Sequence, residues 1–204
     1  MFVRPMGKAW VKARRHDRFY RAAKKQAYRS RAAIKLSQID RRYGLFHEGA
    51  VVVDLGAAPG GWSQVARERV GPKGRVLAVD VAAFVPLDGV EFLRGDFRDP
   101  KVQALLFERL RDPADMVMSD MAPKLSGTRA VDVARALDLA DAALSFAVRA
   151  LRPGGIFLTK VFQGEGYREF LKQVSGHFEF VKGVKPSSST ERSAELYVLA
   201  DGRL

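Results

Sequence analysis

The chain alternates between short apolar runs and longer segments in which apolar residues recur every three or four positions. The short runs have the length and β-branched content of strands, whereas the longer segments have the period of amphipathic helices. The predicted strands cover residues 50–55, 75–80, 90–94, 116–120, 155–160, 178–181 and 195–200. The predicted helices cover residues 31–42, 63–70, 102–110, 132–151 and 167–174.

This alternation predicts an α/β fold, with a mostly parallel, Rossmann-like sheet of seven strands and helices on both faces. Only a loop, residues 182–194, separates the last two strands, so these two are expected to pair antiparallel. Ser30 is expected to cap the first helix, and Pro153-Gly154-Gly155 is expected to end the long one.

Composition fits one globular domain, because 47% of the 204 residues are apolar. The absence of cysteine excludes a disulfide scaffold and cysteine-ligated metal sites. No apolar run approaches the ~20 residues of a membrane span, and the N-terminus carries no apolar signal segment. The sequence therefore predicts a cytoplasmic protein without a membrane partner, and we expect a monomer.

The positive charge is concentrated at the N-terminus. Residues 1–42 hold fourteen of the 35 lysines and arginines but two of the 23 acidic residues, so they carry the whole net charge of +12. Trp10, Phe19, Tyr20 and Tyr28 are interleaved with these charges. Such a segment can neutralise phosphates and stack on bases.

The alternatives are a solvated basic tail or a helix that binds an acidic membrane surface. The segment, however, lacks the sustained apolar face of a membrane-surface helix. We therefore assign residues 1–29 to an RNA-binding arm and residues 30–204 to the folded domain.

Ionisable residues mark the strand ends. Asp54, Asp80, Asp120 and Lys160 stand at or near the carboxyl ends of predicted strands, and Glu195 opens the last one. Open α/β sheets bind ligands outside those ends, and an antiparallel last strand begins there as well. Asp54 taken alone is better explained as a helix cap. Five ionisable residues at the same edge of the sheet, however, predict a functional site.

The loop after the first strand, residues 54–63, reads Asp-Leu-Gly-Ala-Ala-Pro-Gly-Gly-Trp-Ser. Ala58 replaces the second glycine of a dinucleotide-binding turn, which is the glycine that lets the backbone approach a pyrophosphate. The loop therefore favours S-adenosylmethionine over NAD or FAD. Asp80 is placed to bind the ribose hydroxyls of such a cofactor, and Asp96 to bind the adenine amino group.

Several motifs resemble those of the FtsJ-like (RrmJ-like) RNA 2′-O-ribose methyltransferases. They are residues 30–36, 54–64, 95–99, 118–123 and 160–166, and the similarity spans roughly residues 28–204. The nearest resemblance is to the bacterial large-subunit (23S) ribosomal RNA methyltransferase E group. It implies a seven-stranded S-adenosylmethionine-dependent methyltransferase fold and, as substrate, a uridine ribose in the A-loop of 23S rRNA within the 50S subunit.

The resemblance also implies site residues. The family's Lys-Asp-Lys-Glu tetrad falls on Lys35, Asp120, Lys160 and Glu195. Its cofactor-binding positions fall on Gly60, Trp62, Asp80, Asp96 and Asp120. Lys124 stands where asparagine is expected and Thr190 where arginine is expected, and both departures concern RNA contacts rather than the tetrad.

A ribose hydroxyl becomes a good nucleophile when its proton leaves, whereas a sulfonium methyl is already activated, so no metal is required. Lys160 is the candidate base, although a lysine of ordinary basicity is almost fully protonated at neutral pH. Repulsion from Lys35 and from the sulfonium favours loss of that proton, and Asp120 and Glu195 oppose it while holding the lysines in place.

Two alternatives remain open. One is an enzyme of the same fold that methylates tRNA ribose or a small molecule, although the basic arm disfavours a small molecule. The other is a non-catalytic RNA-binding module that has kept the fold, which the intact tetrad disfavours.

Overall fold

The computed structural model describes residues 28–189 and 193–204. These residues form α1 (Arg31–Tyr43), β1 (Val51–Leu55), α2 (Gly61–Val70), β2 (Arg75–Asp80), β3 (Val90–Arg94), α3 (Pro100–Leu110), β4 (Ala114–Ser119), α4 (Arg129–Ala150), β5 (Leu151–Phe162), α5 (Tyr167–Ser175), β6 (Phe178–Val184) and β7 (Glu195–Arg203). Residues 1–27, which hold most of the predicted arm, and Thr190 lie outside the described residues.

The seven strands form one sheet in the order β3-β2-β1-β4-β5-β7-β6. Strands β1 to β5 run parallel to one another, and β7 runs antiparallel to both β5 and β6. The predicted mostly parallel α/β fold and the antiparallel last pair are thereby confirmed. Because β7 runs against the others, its first residues lie at the end of the sheet where the parallel strands finish.

Helices cover both faces of the sheet, and each face has its own apolar core. On one face α1 and α2 pack through residues such as Leu36, Ile39 and Trp62. On the other face α3, α4 and α5 pack through residues such as Leu106 and Phe146. The two layers exclude water from the strands, so polar groups of the strands meet solvent at their ends.

Two predictions about helix ends are wrong in detail. The long helix ends at Ala150, and Pro153-Gly154-Gly155 lies inside β5, where the pairing with β4 shifts register. Ser30 occupies the cap position of α1, but its hydroxyl makes no capping hydrogen bond. That hydroxyl is buried without a partner, and a side chain on Gly61 would collide with it. Ser30 is therefore the cap residue of α1 by position, but its side chain packs against the start of α2.

Strand register decides which polar residues meet at the carboxyl end of the sheet. Ser119 of β4 pairs with Thr159 of β5, so the next residues along each strand, Asp120 and Lys160, lie side by side. Lys160 in turn pairs with Tyr197 of β7. Three neighbouring strands thus supply the framework of one polar cluster.

Among the described residues, no helix is both long enough and apolar enough to cross a membrane.

Candidate active site at the carboxyl end of the sheet

The first half of the cluster is the pair Lys160 and Asp120. The Lys160 ammonium donates to the main-chain carbonyl oxygen of Asp120 and, at 3.1 Å, to its carboxylate atom Oδ1. The Lys160 side chain is 9% exposed, so the pair is shielded from bulk water. The predicted adjacency of these two residues follows directly from the pairing of β4 with β5.

The second half is the pair Lys35 and Glu195, which come from α1 and from the first residue of β7. Lys35 Nζ donates to Glu195 Oε1, and both side chains are about one-fifth exposed, at 17% and 21%. The packing of α1 across the sheet joins two residues that are 160 positions apart in sequence. The structure therefore brings all four residues of the predicted tetrad to one place.

Tyr197 connects the two halves, and the sequence analysis assigned it no role. Its hydroxyl lies 3.0 Å from Asp120 Oδ1 and 3.2 Å from Glu195 Oε1, the same oxygens that the two lysines contact. The ring is fully buried and packs on Trp62, with 5.5 Å between the ring centroids. The spacing of Glu195 and Tyr197 was an available signal, because residues two apart on a strand share a face.

Charge and burial shift the pKa values of Tyr197 and Glu195. Burial, assisted by the charges of Asp120 and Glu195, raises the pKa of Tyr197 well above 10.0, so the phenol stays neutral. For Glu195, burial acts to raise the pKa, but the hydrogen bond and charge of Lys35, with help from Lys160 and Tyr197, bring the net pKa below its ordinary value. Glu195 is therefore ionised at neutral pH and Tyr197 is a hydrogen-bond donor.

A cleft of about 670 Å³ opens beside the cluster. It is lined by Gly56, Ala58, Val79, Asp80, Val81, Gly95, Asp96, Phe97, Arg98, Asp120, Met121, Ala122, Pro123, Lys124, Arg135, Asp138 and Leu139. Gly56 has a φ of 78°, and a Cβ atom there would lie 2.5 Å from the Met121 side chain. Glycine thus lets the loop after β1 approach the loop after β4 and form one wall of the cleft.

The three acids expected to hold the cofactor, Asp80, Asp96 and Asp120, all line this cleft. Asp80 accepts hydrogen bonds from the backbone amides of Ala58 at 2.9 Å and Ala82 at 2.8 Å, so it fixes the loops on either side of it. Asp96 pairs with Arg98 at 2.8 Å, and hydrogen bonds from Arg98 lower the pKa of its carboxyl group. Both carboxylates stand at the ends of adjacent strands, as the sequence predicted.

Gly60 and Trp62 are not part of the cleft wall. Gly60 precedes α2 with a φ of 95°, and a Cβ atom there would lie 3.0 Å from the Phe84 ring. The Trp62 indole is buried and donates to the carbonyl oxygen of Ala32 at 2.9 Å. Their assignment to cofactor binding stays a prediction, and the geometry gives both residues a structural role.

Asp54 is fully buried behind the cleft. Its Oδ2 atom accepts a hydrogen bond from Ser63 Oγ in the first turn of α2, but the cap residue of that helix is Gly60, so the helix-cap interpretation of Asp54 is wrong. Its Oδ1 atom is buried without a hydrogen-bond partner. Burial, with repulsion from Asp120 and Asp80, raises the pKa of Asp54 to about 7.

Within residues 28–189 and 193–204, no three acidic or histidine side chains are arranged to hold a metal ion.

Nearly all of the described residues match a known protein family. The family model of the FtsJ-like methyltransferases matches residues 28–203. This chain belongs to the FtsJ-like methyltransferase family. The match begins at residue 28, within the last two residues of the predicted arm, and it includes both lysines and both carboxylates of the cluster.

Two curated relatives of this FtsJ-like methyltransferase carry the name ribosomal RNA large subunit methyltransferase E. The protein from Nitrosospira multiformis is 49% identical over 197 residues, which is 96% of each chain. The protein from Azoarcus sp. is 52% identical over 193 residues, which is 94% of each chain.

Solved structures agree with the fold. A ribosomal RNA methyltransferase from Plasmodium falciparum superimposes with a TM-score of 0.79 at 27% identity, covering 87% of this chain and 99% of that one. Fibrillarin from Aeropyrum pernix, solved with S-adenosyl-L-methionine, has a TM-score of 0.60 at 21% identity, covering 85% and 75%. The second likeness concerns the fold alone. This FtsJ-like methyltransferase therefore has the Rossmann-like fold expected from its sequence.

Proposed function

We propose that this FtsJ-like methyltransferase uses S-adenosylmethionine to methylate the 2′-hydroxyl of a uridine ribose in the A-loop of 23S ribosomal RNA, with the 50S subunit as substrate. The observation that carries the proposal is the cluster of Lys35, Asp120, Lys160 and Glu195 beside the cleft. The names of the two relatives that are about half identical to this chain support large-subunit RNA as the substrate class.

The cleft fits the proposed cofactor by its chemistry. Asp80 and Asp96 offer carboxylate oxygens to hydroxyl and amino groups, which are the donors of a nucleoside. Gly56 and Ala58 form part of the wall. When bound, S-adenosylmethionine supplies a methyl group already activated by its positive sulfur.

The protein's own task is then to orient the ribose and to remove its proton. We assign the base to Lys160 Nζ, which accepts the proton of the 2′-hydroxyl when the amine is neutral. Asp120 holds that nitrogen through the carbonyl and carboxylate contacts. Lys35 adds a second positive charge to the site, and Glu195 fixes its position. Positioned groups of this kind typically contribute ~10²–10⁴-fold in rate.

The charge distribution supports a polyanionic substrate. The whole excess of positive charge lies in residues 1–42, and the described part of this segment leads into α1, which carries Lys35. Lys124 brings a further positive charge to the cleft wall. A nucleic acid bound by the arm is thereby brought to the helix that contributes to the cluster.

The test is transfer of the tritiated methyl group of S-adenosylmethionine to four substrates: 50S subunits, 30S subunits, protein-free 23S RNA and tRNA. The first three come from a strain that lacks this modification. We expect label in the RNA of 50S subunits and none in 30S subunits or tRNA. Lys160→Ala should abolish the transfer, whereas Lys73→Ala, at the opposite end of the sheet, should leave it intact. Label confined to tRNA would replace the proposed substrate by the tRNA alternative.

A further inference from the structure

We infer that Tyr197 is a positioning residue of the methyl-transfer site, whose hydroxyl links the Lys160–Asp120 pair to the Lys35–Glu195 pair. The inference rests on the proposed function, because it assigns Tyr197 a part in the reaction of the same cluster. Neither the sequence motifs nor the family match give this tyrosine a role.

The geometry makes Tyr197 the only bridge between the pairs among the described hydrogen bonds. Asp120 Oδ1 lies 3.1 Å from Lys160 Nζ and 3.0 Å from the Tyr197 oxygen. Glu195 Oε1 contacts Lys35 Nζ and lies 3.2 Å from the same phenol oxygen. A phenol has a single proton, so the two carboxylates share one donor.

Packing fixes the phenol in this place. The ring is fully buried, packs on Trp62 at a tilted angle and lies with its centroid 5.8 Å from Lys35 Nζ. Antiparallel pairing of β7 with β5 sets Tyr197 opposite Lys160. Because these contacts fix the ring, the phenol oxygen stays in one position. Its hydrogen bonds therefore hold the carboxylates of Asp120 and Glu195 in place.

The hydrogen bond from Tyr197 to Asp120 should affect how easily Lys160 loses its proton, and the pH dependence of the rate can detect this effect. Asp120 and Glu195 share the phenol proton, which partly neutralises the charge of the Asp120 carboxylate. Without the hydroxyl, Asp120 interacts more strongly with the Lys160 ammonium, and the neutral amine needed as base becomes rarer. Removing the hydroxyl should therefore slow the reaction and move its rate–pH profile toward higher pH.

The experiment compares Tyr197→Phe with the wild-type protein in single-turnover methylation of 50S subunits from pH 6 to pH 10. Tyr43→Phe, which removes a hydroxyl at the far end of α1, is the matched control. We expect the neutral-pH rate of Tyr197→Phe to fall about 10-fold, with the KM for 50S subunits within twofold of wild type. The pH at half-maximal rate should rise by about half a unit or more.

A double-mutant cycle with Glu195→Gln tests whether the phenol acts through the carboxylates. If it does, the combined variant should lose less rate than the product of the two single losses. 3-Fluorotyrosine placed at position 197 keeps the ring and strengthens the donor, so it should move the profile toward lower pH. This substitution serves also if Tyr197→Phe proves unstable.

An unchanged pH profile in both altered proteins would overturn the inference, and so would strictly multiplicative losses in the cycle. Neither result would contradict the proposed function, because the wild-type protein would still methylate 50S subunits. A wild-type protein that methylates no RNA would instead remove the proposed function itself, so the two failures can be told apart.

Discussion

Lys160 lies directly beside Asp120 and donates to both its main-chain carbonyl oxygen and its carboxylate, with 3.1 Å between Nζ and Oδ1. Asp120 directly follows β4 and Lys160 lies in the last three residues of the neighbouring parallel strand β5, so the pairing of these strands places the two residues side by side. These two contacts fix the position of the Lys160 amine, which we propose removes the proton of a ribose hydroxyl.

Substitution of Lys160 separates a base from a fixed charge. Lys160→Ala should reduce the single-turnover rate by ~10²–10⁴-fold. Lys160→Arg should lose nearly as much, because a guanidinium stays protonated at neutral pH. Lys73→Ala is the control, and binding of cofactor and RNA should survive in all three variants. An arginine variant with near wild-type rate would show that Lys160 contributes charge only.

Asp80 should dominate the affinity for S-adenosylmethionine. Its carboxylate fixes Ala58 and Ala82 and faces the cleft, so Asp80→Ala should weaken binding by about 1–3 kcal/mol. Calorimetry on this variant and on Asp112→Ala, an exposed acid near the opposite end of the sheet, measures the difference. NAD bound as tightly as S-adenosylmethionine by the wild-type protein would contradict the assignment of the cleft.

Asp54 should make stability depend on pH. Burial raises its pKa from 3.8 in the unfolded chain to about 7 in the folded protein. Between these values the folded protein retains a proton that the unfolded chain has lost, so this group destabilises the fold progressively as pH rises through the window. Asp54→Asn cannot lose a proton. The unfolding free energy of Asp54→Asn minus that of the wild type should therefore increase by about 2–3 kcal/mol as the pH rises from 5 to 8.

Urea unfolding of the two proteins at both pH values measures this gain, with Asp112→Asn as the control at an exposed site. Parallel pH dependences for wild type and Asp54→Asn would mean that Asp54 is ionised in the folded protein throughout.

The basic arm should supply most of the salt-dependent RNA affinity. Deletion of residues 1–26 removes eight net positive charges and stops just before the segment that the family model matches. RNA affinity should fall, and the slope of log affinity against log salt concentration should flatten, because fewer counterions are released. Cofactor affinity should not change. The same slope before and after deletion would place the RNA contacts elsewhere on the chain.

Local pattern was enough to predict the sheet and half of the site. Strands β2 and β3 have the bounds expected from their apolar runs, and parallel strands necessarily bring Asp120 and Lys160 to the same end of the sheet. Lys35 was placed by a family motif alone, because its contact with Glu195 depends on how α1 packs across the sheet.

Other features were beyond a reading of local pattern. Trp62 follows a loop that binds cofactors in related folds, yet its indole turns into the core because α1 and α2 bury it between them. Pro153-Gly154-Gly155 looks like a helix stop, but the helix has already ended at Ala150 and the triplet sits in a register shift of β5. The contacts of Tyr197 with both carboxylates depend on the pairing of β4 with β5 and of β5 with β7, which the sequence of a single segment does not show.

The most direct test of the central claim is the chemical identity of the methylated nucleoside. The 50S subunits from a strain that lacks the modification are incubated with the protein and S-adenosylmethionine. Their 23S RNA is then digested to nucleosides and analysed by mass spectrometry, and the site is mapped by resistance to alkaline cleavage. The account predicts one 2′-O-methyluridine per subunit, located in the A-loop and absent with Lys160→Ala. A methyl group on a base, or on no ribosomal RNA nucleoside at all, would contradict it.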